Sequence, residues 1–308
     1  MRYSDSPLQL SIMGRPVVIS ASGAGLLATV AEAYAEWRQA GPTDGPPIQL
    51  ALQAGDETPG DGLVQIEVEG PRLRLKGAGV EGWADAQLLE AFCRAPPSLA
   101  GRPGALVGEV IDTLLLFLLA RSGRVPLHAA GILCGRTAAV LAGPSGSGKS
   151  TLSLAAMARG LRILSDDTVY IQLQPRLRIW GFPRPVHVFP ADAPGFTHGT
   201  RLRAGKLKAV LPLPPWSDPP VADHAAVVLL ARGNRVRLEP IEPSVAAAAL
   251  SRLEPGFDLL AEPSARAVEA MTAPGAWRLT LTRNPSEAIE VLMDQFAPGA
   301  VSAPAAST

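Results

Sequence analysis

The chain has 308 residues, 47% of them hydrophobic, with 28 basic and 28 acidic side chains. A net charge of zero gives no global field that favours nucleic acid or an anionic membrane surface, and two cysteines, Cys93 and Cys134, exclude a disulfide-built scaffold and fit a reducing compartment. This length and hydrophobic content support one large core or two smaller ones.

The start, MRYSDSPLQL, lacks the basic stretch and apolar run of a secretory leader. LQLSIMGRPVVIS (8–20) reads as two short strands around Gly14, and AGLLATVAEAYAEWRQA (24–40) carries helical spacing. IQLALQA (48–54), LVQIEVEG (63–70) and RLRLKG (72–77) read as strands, the last two a hairpin at Gly70-Pro71. ADAQLLEAFCRA (84–95) and ALVGEVIDTLLLFLLARSG (105–123) read as helices. The longest apolar run, 113–120, is too short to cross a bilayer, so a soluble cytoplasmic protein without membrane or nucleic-acid partners is expected. Residues 1–122 form an amino-terminal α+β region, structural or substrate-presenting.

A second region, 123–296, opens with two apolar runs, 127–134 and 137–143, flanking a hairpin signal at Gly135-Arg136. KSTLSLAAMARG (149–160) is a helix. LRILS and TVYIQLQ are strands on either side of Asp166-Asp167, and further strands lie at 224–233 and 235–241. A helix follows at 243–253, and 277–296 holds a strand, a turn and a last helix. Alternating strands and helices give an α/β class. The small, Pro-containing tail, 297–308, is expected to be disordered.

Gly143, Gly148, Lys149 and Ser150 match G-x-x-x-x-G-K-[ST], between an apolar strand and a helix. Glycines let the backbone of Gly143–Thr151 (with Ser145, Gly146 and Ser147) aim N–H groups at phosphate oxygens. The helix start adds positive potential. Lys149 reaches the β- and γ-phosphates, and the hydroxyl of Ser150 binds Mg²⁺. Such a cradle serves ATPases, GTPases and small-molecule kinases alike.

Only fifteen residues separate Lys149 from Ser165, which puts Asp166-Asp167 on the strand directly after the cradle helix. One carboxylate there can bind Mg²⁺ while the other accepts a proton from an attacking hydroxyl; the alternative is a solvated loop pair. Counting back from the turn at 135–136 pairs residue 128 with 143. His128 there either meets the phosphates and the proton-transfer group or makes one structural hydrogen bond. Between Arg176 and Lys208 lie seven basic residues and one acid. This Pro- and Gly-rich stretch offers Arg184 and Lys206 as phosphate or acidic-peptide contacts, or is a solvated surface. His187, His198 and His224 show no metal spacing.

HAAGI (128–132), GPSGSGKST (143–151) and LSDD (164–167) together resemble the catalytic domain of the HPr kinase/phosphorylase family. The resemblance implies a P-loop fold related to phosphoenolpyruvate carboxykinase, and a kinase that uses ATP or another nucleoside triphosphate with Mg²⁺. It implies Asp166 as the base for a serine hydroxyl, Asp167 and Ser150 at the metal, Lys149 at the phosphates and His128 in support. The family's later acidic-Arg-Gly signature has no counterpart in RLRIWGFPRPVHVFPAD (176–192). Reverse phosphorylase activity and HPr as substrate are therefore not carried over. The chain looks more like the HPr-kinase-related proteins of lasso-peptide clusters, which phosphorylate the terminal serine of a precursor peptide. Family members are often hexameric, which implies a homo-oligomer. A small-molecule kinase and a non-catalytic nucleotide sensor are the alternatives.

Overall fold

The computed structural model describes residues 6–22, 24–38, 43–56, 63–182, 184–188, 200–203, 206–213, 220–253 and 261–297. They form two compact units, one running to Arg124 and the other beginning at Val125.

The first unit contains β1 (Leu8–Ile12), β2 (Arg15–Ser22), α1 (Ala24–Ala33), β3 (Ile48–Ala54), β4 (Gln65–Glu69), β5 (Arg72–Gly77), β6 (Val80–Asp85) and β7 (Glu90–Ala95). A helix follows, formed by α2 (Pro103–Ala105), a π-helical stretch (Leu106–Ile111) and α3 (Asp112–Arg121). The sheet order is β1-β2-β3-β7-β6-β5-β4. β2, β3 and β7 are parallel neighbours and the other pairs are antiparallel. Alternation places Leu73 and Leu75 in the core and leaves Arg72 and Arg74 exposed. The turn at Gly70-Pro71 joins β4 to β5 as expected, with Glu69 opposite Arg72.

Residues 84–95 do not form the expected helix. They are the end of β6, a turn and β7. The carboxylate of Asp85 accepts the N–H groups of Gln87 and Leu88 at 2.9 and 3.3 Å, and Leu89 takes φ 57°. This local side-chain bond competes with helix and turns the chain. The helix expected over 24–40 gives way after Ala33 to a single 3-10 turn, Ala35–Trp37.

Pro103–Arg121 is long and apolar enough to cross a membrane by length and composition. Most of it is buried, with Leu114, Leu115, Phe117 and Leu118 in the core of the first unit, as in the core helix of a globular protein. Cys93 and Cys134 are free, and burial pushes their thiols up to about 12 and about 11.

The second unit contains β8 (Val125–Leu127), β9 (Ala130–Cys134), β10 (Thr137–Ala142), α4 (Lys149–Ala158), β11 (Ile163–Ser165), β12 (Val169–Gln172) and β13 (Arg178–Trp180). It continues with β14 (Val186–Val188), β15 (Thr200–Arg203), β16 (Lys206–Leu211), β17 (Val221–Ala222), β18 (His224–Arg232) and β19 (Arg237–Ile241). It ends with α5 (Pro243–Leu250), α6 (Ala261–Thr272), β20 (Ala276–Leu281) and α7 (Pro285–Phe296).

The main sheet runs β11-β9-β10-β18-β20-β19, with β10, β18 and β20 parallel. Ala138–Ala142 are buried on both sides, as strands covered on both faces must be. Leu141, Leu152, Ile132, Leu279, Ile289 and Leu292 share one core that fixes α4 and α7 to the sheet. Two smaller antiparallel sheets complete the described part, β17-β13-β12-β8 and β14-β16-β15. The architecture is mixed α/β. Of the expected tail only Ala297 falls within the described residues.

Candidate functional site

β10 delivers the chain into Gly143–Gly148, which turns back to the N-terminus of α4. The Ser147 N–H donates to Pro144 O at 3.1 Å to close the turn. Gly148 caps α4 with φ 113° and no side-chain hydrogen bond, so the cap residue leaves the first-turn N–H groups without a side-chain acceptor. The positive end of the helix therefore faces the loop. A Cβ on Gly143 would come 2.8 Å from Ser147 Oγ. A Cβ on Gly148 would come 3.1 Å from Leu281 Cδ1 and 3.2 Å from Arg232 Nη2. Ser147 Oγ is buried without a hydrogen-bond partner among the described residues. Ser145 and Gly146 are exposed, and Ser150 and Thr151 half-buried.

Lys149 is 7% exposed, and its ammonium donates to Gly143 O at 2.6 Å and Pro144 O at 3.4 Å. Burial lowers its pKa, opposed by the charges of Asp167 and Asp166. Both aspartates therefore lie close enough to act on the cation at the head of α4.

The acidic pair lies not on the strand but in the bend directly after β11. Ser165 Oγ accepts the N–H groups of Asp167 and Thr168 at 3.3 and 3.1 Å and holds the turn that presents them. Asp166 is 9% exposed, and its Oδ2 accepts the His187 N–H at 3.4 Å. The Asp167 side chain is 42% exposed, with His128 Nδ1 3.4 Å from its Oδ1.

His128 thus sits at the acids, and the hairpin count that paired it with Gly143 is corrected. The β9–β10 ladder runs from Cys134↔Thr137 to Ala130↔Leu141 and stops. Ala129 N–H then donates to Leu127 O, and residues 125–127 enter another sheet, with Leu127 opposite Val169.

Arg184 places its guanidinium 4.3 Å over the Phe182 ring. Lys206 opens β16 opposite Arg203, and its side chain lies outside the described residues. The structure adds Arg232, which sequence reasoning missed. It ends β18 beside the loop, where its Nη1 donates to Thr282 O at 3.4 Å. No local motif marks it; only the pairing of β10 with β18, which places the two strand ends side by side, brings it there.

The donors fit a nucleoside triphosphate. Ser147 has a hydroxyl without a hydrogen-bond partner among the described residues, and Gly143 and Gly148 let the loop pack against Ser147, Leu281 and Arg232 where a Cβ would collide. Ser150 and one carboxylate offer the oxygen ligands that Mg²⁺ takes alongside phosphate.

No protein-family model matches the sequence, and no curated protein matches it. Among solved structures, an HPr(Ser) kinase/phosphatase from Coxiella burnetii is similar to this chain at 14% sequence identity and a TM-score of 0.28. The alignment covers 55% of this chain and 94% of that one. At those values the likeness carries no functional weight, and the site's own geometry does.

Proposed function

We propose that the second unit is an ATP- and Mg²⁺-dependent phosphotransferase acting on a serine hydroxyl of a peptide or protein. The observation that carries this reading is the buried ammonium of Lys149 at a glycine-walled helix start, within electrostatic reach of both Asp166 and Asp167. Bound ATP·Mg²⁺ supplies the γ-phosphoryl group, which passes to the acceptor oxygen as its bond to the β-phosphate breaks. Lys149 and the N–H groups of the loop hold phosphate oxygens, and Ser150 and Asp167 hold the metal. Asp166, shielded from water, takes the proton of the acceptor hydroxyl. His128 orients Asp167.

The acceptor rests on analogy: His128, Gly143–Thr151 and Asp166-Asp167 resemble the HPr kinase/phosphorylase family, and the lack of that family's later acidic-Arg-Gly signature in 176–192 favours its relatives in lasso-peptide clusters, which phosphorylate the terminal serine of a precursor peptide. Incubation with γ-labelled ATP, Mg²⁺ and such a peptide is expected to label the serine. Label on a metabolite and on no peptide makes this a small-molecule kinase; nucleotide binding without transfer to any acceptor makes it a sensor.

One observation favours a second assignment of the acids. Asp167 is the more open carboxylate and has a histidine beside it, the arrangement of an oriented base. Loss of transfer in Asp167→Asn with full transfer in Asp166→Asn would establish it.

A further inference from the structure

At the end of β10 remote from the loop, three arginines converge on one carboxylate. Arg136 lies in the β9–β10 turn, Arg176 between β12 and β13, Arg178 at the start of β13, and Asp223 between β17 and β18. Arg136 Nη2 donates to Asp223 Oδ2 at 2.6 Å. Arg176 Nη2 and Arg178 Nε stand 3.7 and 3.9 Å from Oδ1, attracted but beyond hydrogen-bonding distance.

The Arg178 side chain is only 18% exposed, and its Nε is buried with no hydrogen-bond partner among the described residues. Buried polar groups are nearly always paired, and among the described residues the nearest acidic oxygen to this N–H is Asp223 Oδ1, beyond hydrogen-bonding distance. Three cations and one anion leave two positive charges, and the side chains of Arg136 and Arg176 are 78% and 60% exposed. Guanidinium forks match tetrahedral oxyanions in both geometry and charge.

We propose that Arg136, Arg176 and Arg178, oriented by Asp223, bind the dianionic phosphate group of a small phosphorylated molecule. The site is separate from the cradle. Strand β10 spans Thr137–Ala142, six residues or about 20 Å, between the turn that carries Arg136 and the loop that begins at Gly143. It is independent of the proposed transfer reaction.

The test titrates inorganic phosphate into full-length protein carrying Lys149→Met, which removes the ammonium of the cradle, at about 0.15 M salt so that loose surface attraction is screened. One phosphate is expected to bind. Adding Arg176→Gln weakens it about 10-fold, as loss of one charge-assisted bond should, and acetate fails to compete. Affinity unchanged by Arg176→Gln, or equal competition by acetate, overturns the proposal. Should Lys149→Met fail to fold, the wild type and the Arg176→Gln variant, changed at an exposed position, are compared directly. One of the phosphates bound by the wild type is about 10-fold weaker in Arg176→Gln, or the proposal is wrong.

Discussion

At the C-terminal end of β10, Lys149 is buried and donates to the carbonyls of Gly143 and Pro144, with two aspartates nearby. At the N-terminal end, three guanidiniums surround Asp223, two of them on exposed side chains. Both ends concentrate positive charge, but only the first fixes its cation in a glycine-walled turn and faces it with groups that can move a proton. The contrast separates the end proposed for phosphoryl transfer from the end proposed for binding. What decides is the burial and the neighbours of the cation rather than the amount of charge.

The largest expected effect tests the reactive end. Asp166→Asn should lower phosphoryl transfer by roughly 10²–10⁴-fold, the contribution of a general base, while nucleotide binding measured by calorimetry persists. Transfer at the native rate would show that Asp166 is not the base. Gly148→Ala comes next. At φ 113°, boxed by Leu281 and Arg232, a methyl group should cost about 1–3 kcal/mol in urea unfolding and weaken nucleotide binding. Native stability in that variant would mean the wall yields.

Lys149 supplies a pH test. Burial lowers its folded pKa below the unfolded value of about 10.4. Between the two values the unfolded chain binds more protons, so stability rises with pH; below both the cost of the buried charge is constant. The stability of wild type relative to Lys149→Met should therefore climb as pH approaches about 10.4. A flat difference across that range means the ammonium is not strained by burial. The smallest effect lies at the other end of β10. Arg136→Ala removes an exposed ion pair and should change stability by no more than about 1 kcal/mol. A larger loss would mean that the arginine cluster is structural.

What the sequence disclosed was local. The hairpin register at Cys134↔Thr137, the turn at Gly70-Pro71 and the helix from Lys149 all follow from residues a few positions apart. The neighbourhood of Lys149, Asp166 and Asp167 followed from a short helix and strand that leave little room for another path. His128 was misplaced because extrapolating a ladder assumes that it continues, whereas the chain changes sheet at Ala129. Residues 84–95 were misread because Leu88, Leu89 and Phe92 satisfy helical spacing, while the capture of two N–H groups by Asp85 leaves no periodic trace. Arg232 and the Arg136–Asp223 contact depend on strand pairing across more than eighty residues, which no local pattern encodes.

β18 overruns β10. Ala142 pairs with Leu229, and Leu230, Ala231 and Arg232 continue alongside the loop. A chain ending at Asp167 would contain the glycines, the lysine, the serine and both acids, yet it would have no Arg232 or Leu281 beside Gly148. Because parallel pairing over so long a separation must wait for the intervening chain, a nascent or truncated protein would carry every residue of the phosphate motif before it owned the wall that shapes them.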